Sequence, residues 1–188
     1  MEKGENSEKI KKNILKRAST DKIMWFSMWF LLSIITFGLA LFPMLYLLIE
    51  RRNRHFQRQR ELENLLLSAL KEKGVNLETE TDSFYDRKAL LWALSAVLIV
   101  PIFLAAYFLS KDLLLHEKRQ TALFRKIFPD EDIAEQKISL KFCLIITFVT
   151  LGFGIIYWFY KIFNAYNKHF KEQWKIEDKI IELFERNR

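Results

Sequence analysis

Residues 23–49 read IMWFSMWFLLSIITFGLALFPMLYLLI, 27 residues without a charge, and the fold turns on how that stretch is read. A single helix of that length would run about 40 Å, more than the roughly 30 Å of a bilayer's hydrocarbon core. Two more apolar blocks follow, at 89–110 and at 142–160, the latter extending to 163 if Lys161 reaches back to the headgroups. Averages conceal this pattern: charged residues make up 28% of the chain and the mean hydropathy is -0.02, values a soluble protein could show. A buried helix of a soluble domain is usually amphipathic and shorter. The expected fold class is therefore an all-α integral membrane protein with three hydrophobic helices, each continuing into a polar or amphipathic helix. The expected location is the cell membrane, with several passes.

A polar stretch of 22 residues precedes the first block, which is far longer than the apolar part of a cleavable signal, so the first segment is expected to stay. Cys143 is the single cysteine, which excludes intramolecular disulfides and multi-cysteine metal sites. The net charge of +7 has no nucleic-acid motif beside it. Basic residues flanking apolar blocks meet anionic lipid headgroups, so the expected partner is the lipid bilayer and not nucleic acid.

An internal repeat links the first and third blocks at an offset of 114 residues. Thr36, Gly38, Tyr46, Asn53, His55, Phe56, Gln59 and Glu63 recur as Thr150, Gly152, Tyr160, Asn167, His169, Phe170, Gln173 and Glu177. Half of these identities are polar residues beyond the apolar block, which favours duplication over drift. A fainter copy follows the middle block, where Tyr107, His116 and Gln120 keep the spacing of Tyr46, His55 and Gln59. All three histidines thus occupy one repeat position. The organisation expected is a basic segment at 1–22, unit 1 at 23–73 (apolar part 23–49), an acidic linker at 74–88, unit 2 at 89–128 (apolar part 89–110), an acidic linker at 129–141, and unit 3 at 142–188 (apolar part 142–163). Ile10, Ile14, Leu15 and Ala18 sit at helical spacing in the first 20 residues, which suits a short helix on the headgroups or disorder.

No Gly or Pro occurs at 44–73, 102–128 or 155–188, so nothing stops each apolar helix from running on as a stalk. In the first stalk His55, Gln59, Leu62, Leu66 and Ala69 are spaced as a heptad seam, and His169, Gln173, Ile176, Ile180 and Leu183 repeat the spacing in the third. A coiled-coil-like pairing of stalks is expected.

Topology is undecided by charge. Lys and Arg number 7 before the first block, 9 and 7 in the two intervals and 7 after Tyr160, so three spans would place 14 on one side and 16 on the other. Length favours three single crossings. The alternative is three re-entrant hairpins, broken near Gly38 and Pro43, near Pro101, and near Gly152 and Gly154, which would return every stalk to one face.

The catalytic templates are missing, and no charge lies deep within an apolar block. His and Gln in the seam read as polar layers that set register. A zinc-like site from His55, His116 and His169 needs the hairpin topology and is the minor alternative; no metal or cofactor is otherwise expected. Tyr46, Tyr107, Trp158 and Tyr160 read as interfacial anchors, and Gly38, Gly152 and Gly154 as close-packing positions between helices. The stretch TLGFGIIYWFYK at 150–161 resembles a family of small uncharacterised prokaryotic membrane proteins in which a Thr-x-Gly turn precedes Tyr-Trp-x-Tyr-Lys. That resemblance implies a multi-pass membrane protein and no activity. The expected function is non-enzymatic, acting by helix association within the chain, as a homo-oligomer or with an unknown membrane partner. A small transporter or channel subunit comes second and a metal-dependent membrane enzyme third.

Overall fold

The computed structural model describes residues 2–72, 74–75, 85–129, 133 and 138–185, with side chains from residue 6 onward. Most of both acidic linkers lies outside the described residues. The order is α1 (Glu2–Leu15), α2 (Arg17–Thr20), α3 (Phe26–Ile35), α4 (Leu41–Glu72), α5 (Ala89–Leu94) with a 3-10 turn at Ser95–Val97, α6 (Ile99–Ile127), α7 (Leu140–Val149) and α8 (Gly154–Glu185). There is no strand among the described residues, so the chain is all-α.

The apolar blocks are not three continuous helices. The chain reverses at 36–40 and at 150–153, and in the middle block at 95–98, so each block is a short helix folded against the start of a long one. Among the described residues only α6 is long and apolar enough to cross a membrane; α3 and α7, at 10 residues each, are not. The two outer turns are built alike. Phe37 and Leu151 take φ 50° and 51°, and Gly38 and Gly152 take φ 90° and 100°. The preceding threonine fastens each turn at both ends. Thr36 Oγ1 donates to Leu32 O at 2.7 Å and accepts from Ala40 N at 3.0 Å, while Thr150 Oγ1 donates to Ile146 O at 2.7 Å and accepts from Gly154 N at 2.6 Å. Gly38 and Gly152 therefore serve conformation rather than close packing, since two successive left-handed residues favour glycine. Gly154 is the close approach, because a Cβ there would stand 2.7 Å from the Thr147 backbone. Pro43 and Pro101 fall in the first turns of α4 and α6, where no intrahelical N–H bond is lost.

Beyond the turns α4, α6 and α8 continue into their polar halves without a break. They run parallel and in register, because equivalent repeat positions meet in successive layers. The three histidine rings are in mutual edge contact, and Gln59 Oε1 accepts from Gln120 Nε2 at 2.8 Å and from Gln173 Nε2 at 3.0 Å. Below them Leu62, Leu66, Phe124, Ile180 and Phe184 close the seam. Phe184 is buried at the end of α8 where the heptad spacing pointed to Leu183. The fourth member is α1, which runs antiparallel to α4: Asn6 meets Glu72 and Asn13 meets Glu61. Its Ile10 and Ile14 are buried in the seam, so this helix docks on protein and is neither disordered nor laid on headgroups by its apolar face.

A parallel bundle puts all three turns at one end. That end is apolar and open: Phe37 is 98% exposed, Leu151 92%, and Val97 and Ile99 72% each. Asparagines tie the hairpins to the bundle. Asn53 Nδ2 donates to Arg87 O while Asn53 Oδ1 accepts from Arg87 N, and Asn167 makes the same two bonds with Met24. Two of the repeated residues thus hold the extended chain entering α5 and α3.

Candidate metal centre

His55, His116 and His169 come from the same level of α4, α6 and α8, and their nearest ligand atoms all lie within 4.8 Å of one another. All three rings are buried. His55 Nδ1 donates to Asp21 Oδ1 at 2.9 Å, and His169 Nδ1 donates to Glu117 Oε1 at 3.0 Å. A carboxylate accepts only, so each neutral ring carries its proton on Nδ1 and its lone pair on Nε2. The two Nε2 atoms face each other at 3.1 Å. Acceptor nitrogens at that distance repel unless a cation, either a proton or a metal ion, relieves them. Phenylalanines fix the rings: Phe56 stacks on His116 with centroids 4.2 Å apart, and Phe170 lies against His55 at 4.6 Å.

Burial favours the neutral imidazole of His55 and of His116. It draws His55 down to about 4 against the pull of Asp21, and it holds His116 well below the ordinary range, with the other two histidines adding to the effect. Burial also works against ionisation of Asp21, but the hydrogen bond from His55 and the charge of Arg58 overcome it and hold the carboxyl below the usual carboxylate range. Arg58 joins this carboxylate to the next layer. Its Nη2 donates to Asp21 Oδ2 at 2.7 Å, its Nη1 to Glu177 Oε1 at 2.7 Å and its Nε to Thr20 Oγ1 at 3.0 Å. Trp174 Nε1 completes Asp21 at 2.9 Å. Arg119 and Glu63, one unit round, repeat the Arg58–Glu177 pair at 2.6 Å.

The donor set suits a divalent transition ion of the zinc type. An ion about 2.0–2.1 Å from tetrahedral nitrogens sets them about 3.3–3.4 Å apart, and the His55–His169 pair already stands near that spacing. His116 offers the third nitrogen, with the three ligand atoms within 4.8 Å of one another. Carboxylates on the far nitrogens of two rings fix tautomer and orientation, as the outer partners of metal-bound histidines do. A cleft of about 240 Å³ opens at one side of the centre and reaches His169 and Glu117, with Gln120 and Gln173 below and Lys175 and Lys179 at its wall.

The other predicted positions divide. Gln59, Leu62, Leu66, Gln173 and Ile180 line the seam, with Ile176 half-buried beside them, and they meet one another inside a single chain. This seam is consequently not a surface offered to a partner. Trp158 is not an interfacial anchor: it is buried, and its Nε1 donates to Ser110 Oγ at 2.9 Å. Tyr46 and Tyr160 are exposed and Tyr107 half-buried, all near the apolar end. Sequence reading missed Asp21, Arg58 and Glu117. Glu117 adjoins a repeated histidine, and Arg58 recurs as Arg119 at the spacing of the middle unit, so both carried a signal; Asp21 carried none. Compared with protein families, with curated proteins and with solved structures, the chain matches none of them, and the centre is read from its own geometry.

Proposed function

We propose that this chain is a membrane-anchored metalloprotein whose three-histidine centre binds one divalent transition ion and performs metal-assisted, hydrolytic chemistry. The observation that carries the reading is the convergence of His55, His116 and His169, two of them oriented by carboxylates. Three protein nitrogens would hold a zinc-type ion with a coordination position left over, and the chemistry such an ion would supply there is the activation of water near neutral pH. The cleft beside His169 and Glu117 supports access to that position. Glu117 orients the His169 ring, and Asp21, locked by Arg58 and Trp174, orients the His55 ring.

The membrane part of the reading rests on the apolar end. The apolar segment 99–110 of α6 extends about 18 Å, and α3 and α7 each about 15 Å, roughly half of a hydrocarbon core. Three hairpins immersed in one leaflet fit those lengths better than three crossings do, and leave the parallel bundle with its centre in water on one side. Turns at 36–40 and 150–153 keep most of their backbone groups within their own hydrogen bonds, as immersion in lipid demands.

The test is elemental analysis of the chain purified in mild detergent without chelators, beside His116→Ala and His169→Ala. About one equivalent of zinc or a neighbouring first-row metal is expected in the wild type and far less in both variants. Cobalt(II) in its place should give a visible spectrum that shifts with azide, reporting the open position. A folded wild-type chain that takes up no metal at micromolar free zinc would overturn the reading.

A further inference from the structure

A second site lies around Arg51, one turn before His55 on the same side of α4. This guanidinium is 2% exposed, yet no carboxylate among the described residues pairs with it. Its Nη1 donates to Lys22 O at 3.2 Å and to Asn167 Oδ1 at 3.1 Å, and its face lies over Phe163, Tyr166 and Phe170 at 5.2–5.8 Å. Its Nε and Nη2 have no hydrogen-bond partner, and neither has the buried Nε1 of Trp29. Both side chains line one cavity of about 240 Å³ between the start of α3 and the middle of α4. Lys22 and Arg54 stand at the same cavity; the single acid there, Glu50, is engaged by Arg54 at 2.7 Å. Burial lowers Arg51 from its ordinary value to about 10, which leaves it charged at neutral pH. A buried positive charge and three donors without a hydrogen-bond partner thus belong to two side chains that line one cavity, and burial of such groups is costly unless a ligand or water supplies the acceptor.

We infer that this cavity binds the phosphate of an anionic phospholipid headgroup, with Arg51 and Trp29 as its donors. A phosphate oxygen accepts from Nε and Nη2 of one guanidinium at once, and its charge meets Arg51 in a desolvated setting where the attraction is strong. The level in the fold agrees with a lipid source. Trp25, 64% exposed, and Tyr46 flank the cavity where the apolar end gives way to the polar bundle, the depth at which aromatic side chains meet headgroups. The lipid source rests on the membrane part of the proposed function, whereas the anion site itself does not, and neither depends on the metal.

The experiment is native mass spectrometry of the full chain released from nanodiscs of phosphatidylcholine with 30% phosphatidylglycerol, for wild type, Arg51→Gln and Trp29→Phe. In parallel, inorganic phosphate is titrated against the tryptophan fluorescence of the chain in detergent. One retained phosphatidylglycerol per wild-type chain is expected, with retention at least 10-fold weaker in Arg51→Gln and about 3- to 10-fold weaker in Trp29→Phe. Arg51-dependent binding of inorganic phosphate without lipid retention would keep the anion site and overturn the lipid source. Retention that is equal in all three folded chains, or no retention and no phosphate binding in the wild type, would overturn the site. Loss of the metal centre alone, seen by elemental analysis, would leave this site standing.

Discussion

The Nε2 atoms of His55 and His169 face each other across 3.1 Å while the opposite nitrogen of each ring donates to a carboxylate, Asp21 for one and Glu117 for the other. The orientation of both rings is therefore set from outside the centre. Glu117→Gln keeps an acceptor for His169 but removes the charge that raises ligand basicity, and zinc affinity should fall about 10- to 100-fold. Competition with a chelator of known affinity measures it. An unchanged affinity would mean that Glu117 does not act on the bound state.

Arg58 stands between two buried carboxylates, Asp21 and Glu177, with a 2.7 Å bond to each. Arg58→Met fills the space but leaves two like charges in a desolvated layer. The expected loss is about 3–5 kcal/mol of stability, read from the denaturant midpoint in detergent. Asp21 also orients His55, so metal affinity should drop in the same variant. A loss under about 1 kcal/mol would show that both acids are satisfied without Arg58.

The two kinds of glycine should separate in substitution. Gly154→Ala drives a Cβ into the Thr147 backbone at 2.7 Å and forces α7 off α8, at about 3 kcal/mol. Gly38→Ala meets only Leu41 at 4.0 Å, so its cost is the strain of φ 90°, about 1–2 kcal/mol. Thermal unfolding of the two variants side by side ranks them; the reverse order would contradict the packing of the third hairpin.

Hairpins and crossings differ in which side the long helices occupy. In a Cys143→Ala background, Gln57→Cys, Lys118→Cys and Lys171→Cys each place a thiol on an exposed position beside the histidine layer. A membrane-impermeant maleimide applied to oriented vesicles should label all three from the same side. Labelling of Lys118→Cys from the opposite side would restore three crossings. In the unsubstituted chain the buried Cys143 should react only after unfolding.

Two features are written locally in the sequence, because each depends on a few neighbouring residues. Absence of Gly and Pro after each apolar block makes α4, α6 and α8 run on, and the 114-residue repeat marks residues whose roles coincide: Thr36 with Thr150 at the turns, Asn53 with Asn167 at the clamps, His55 with His169 at the centre. The helix class and the shared histidine position follow from that alone. Whether 27 apolar residues cross or reverse does not, since length permits both and only the Thr-x-Gly turn, with its hydroxyl fastened at 2.7 Å, commits the chain to reversal. Reversal at all three blocks makes the long helices parallel, and parallel helices in register bring three histidines to one layer. The carboxylates came from farther still: Asp21 reaches His55 across 34 residues and Glu117 reaches His169 across 52, separations that no local pattern encodes. Tertiary packing alone decided the partners of the centre, because the buried Nδ1 donors of His55 and His169 require the fold to supply an acceptor.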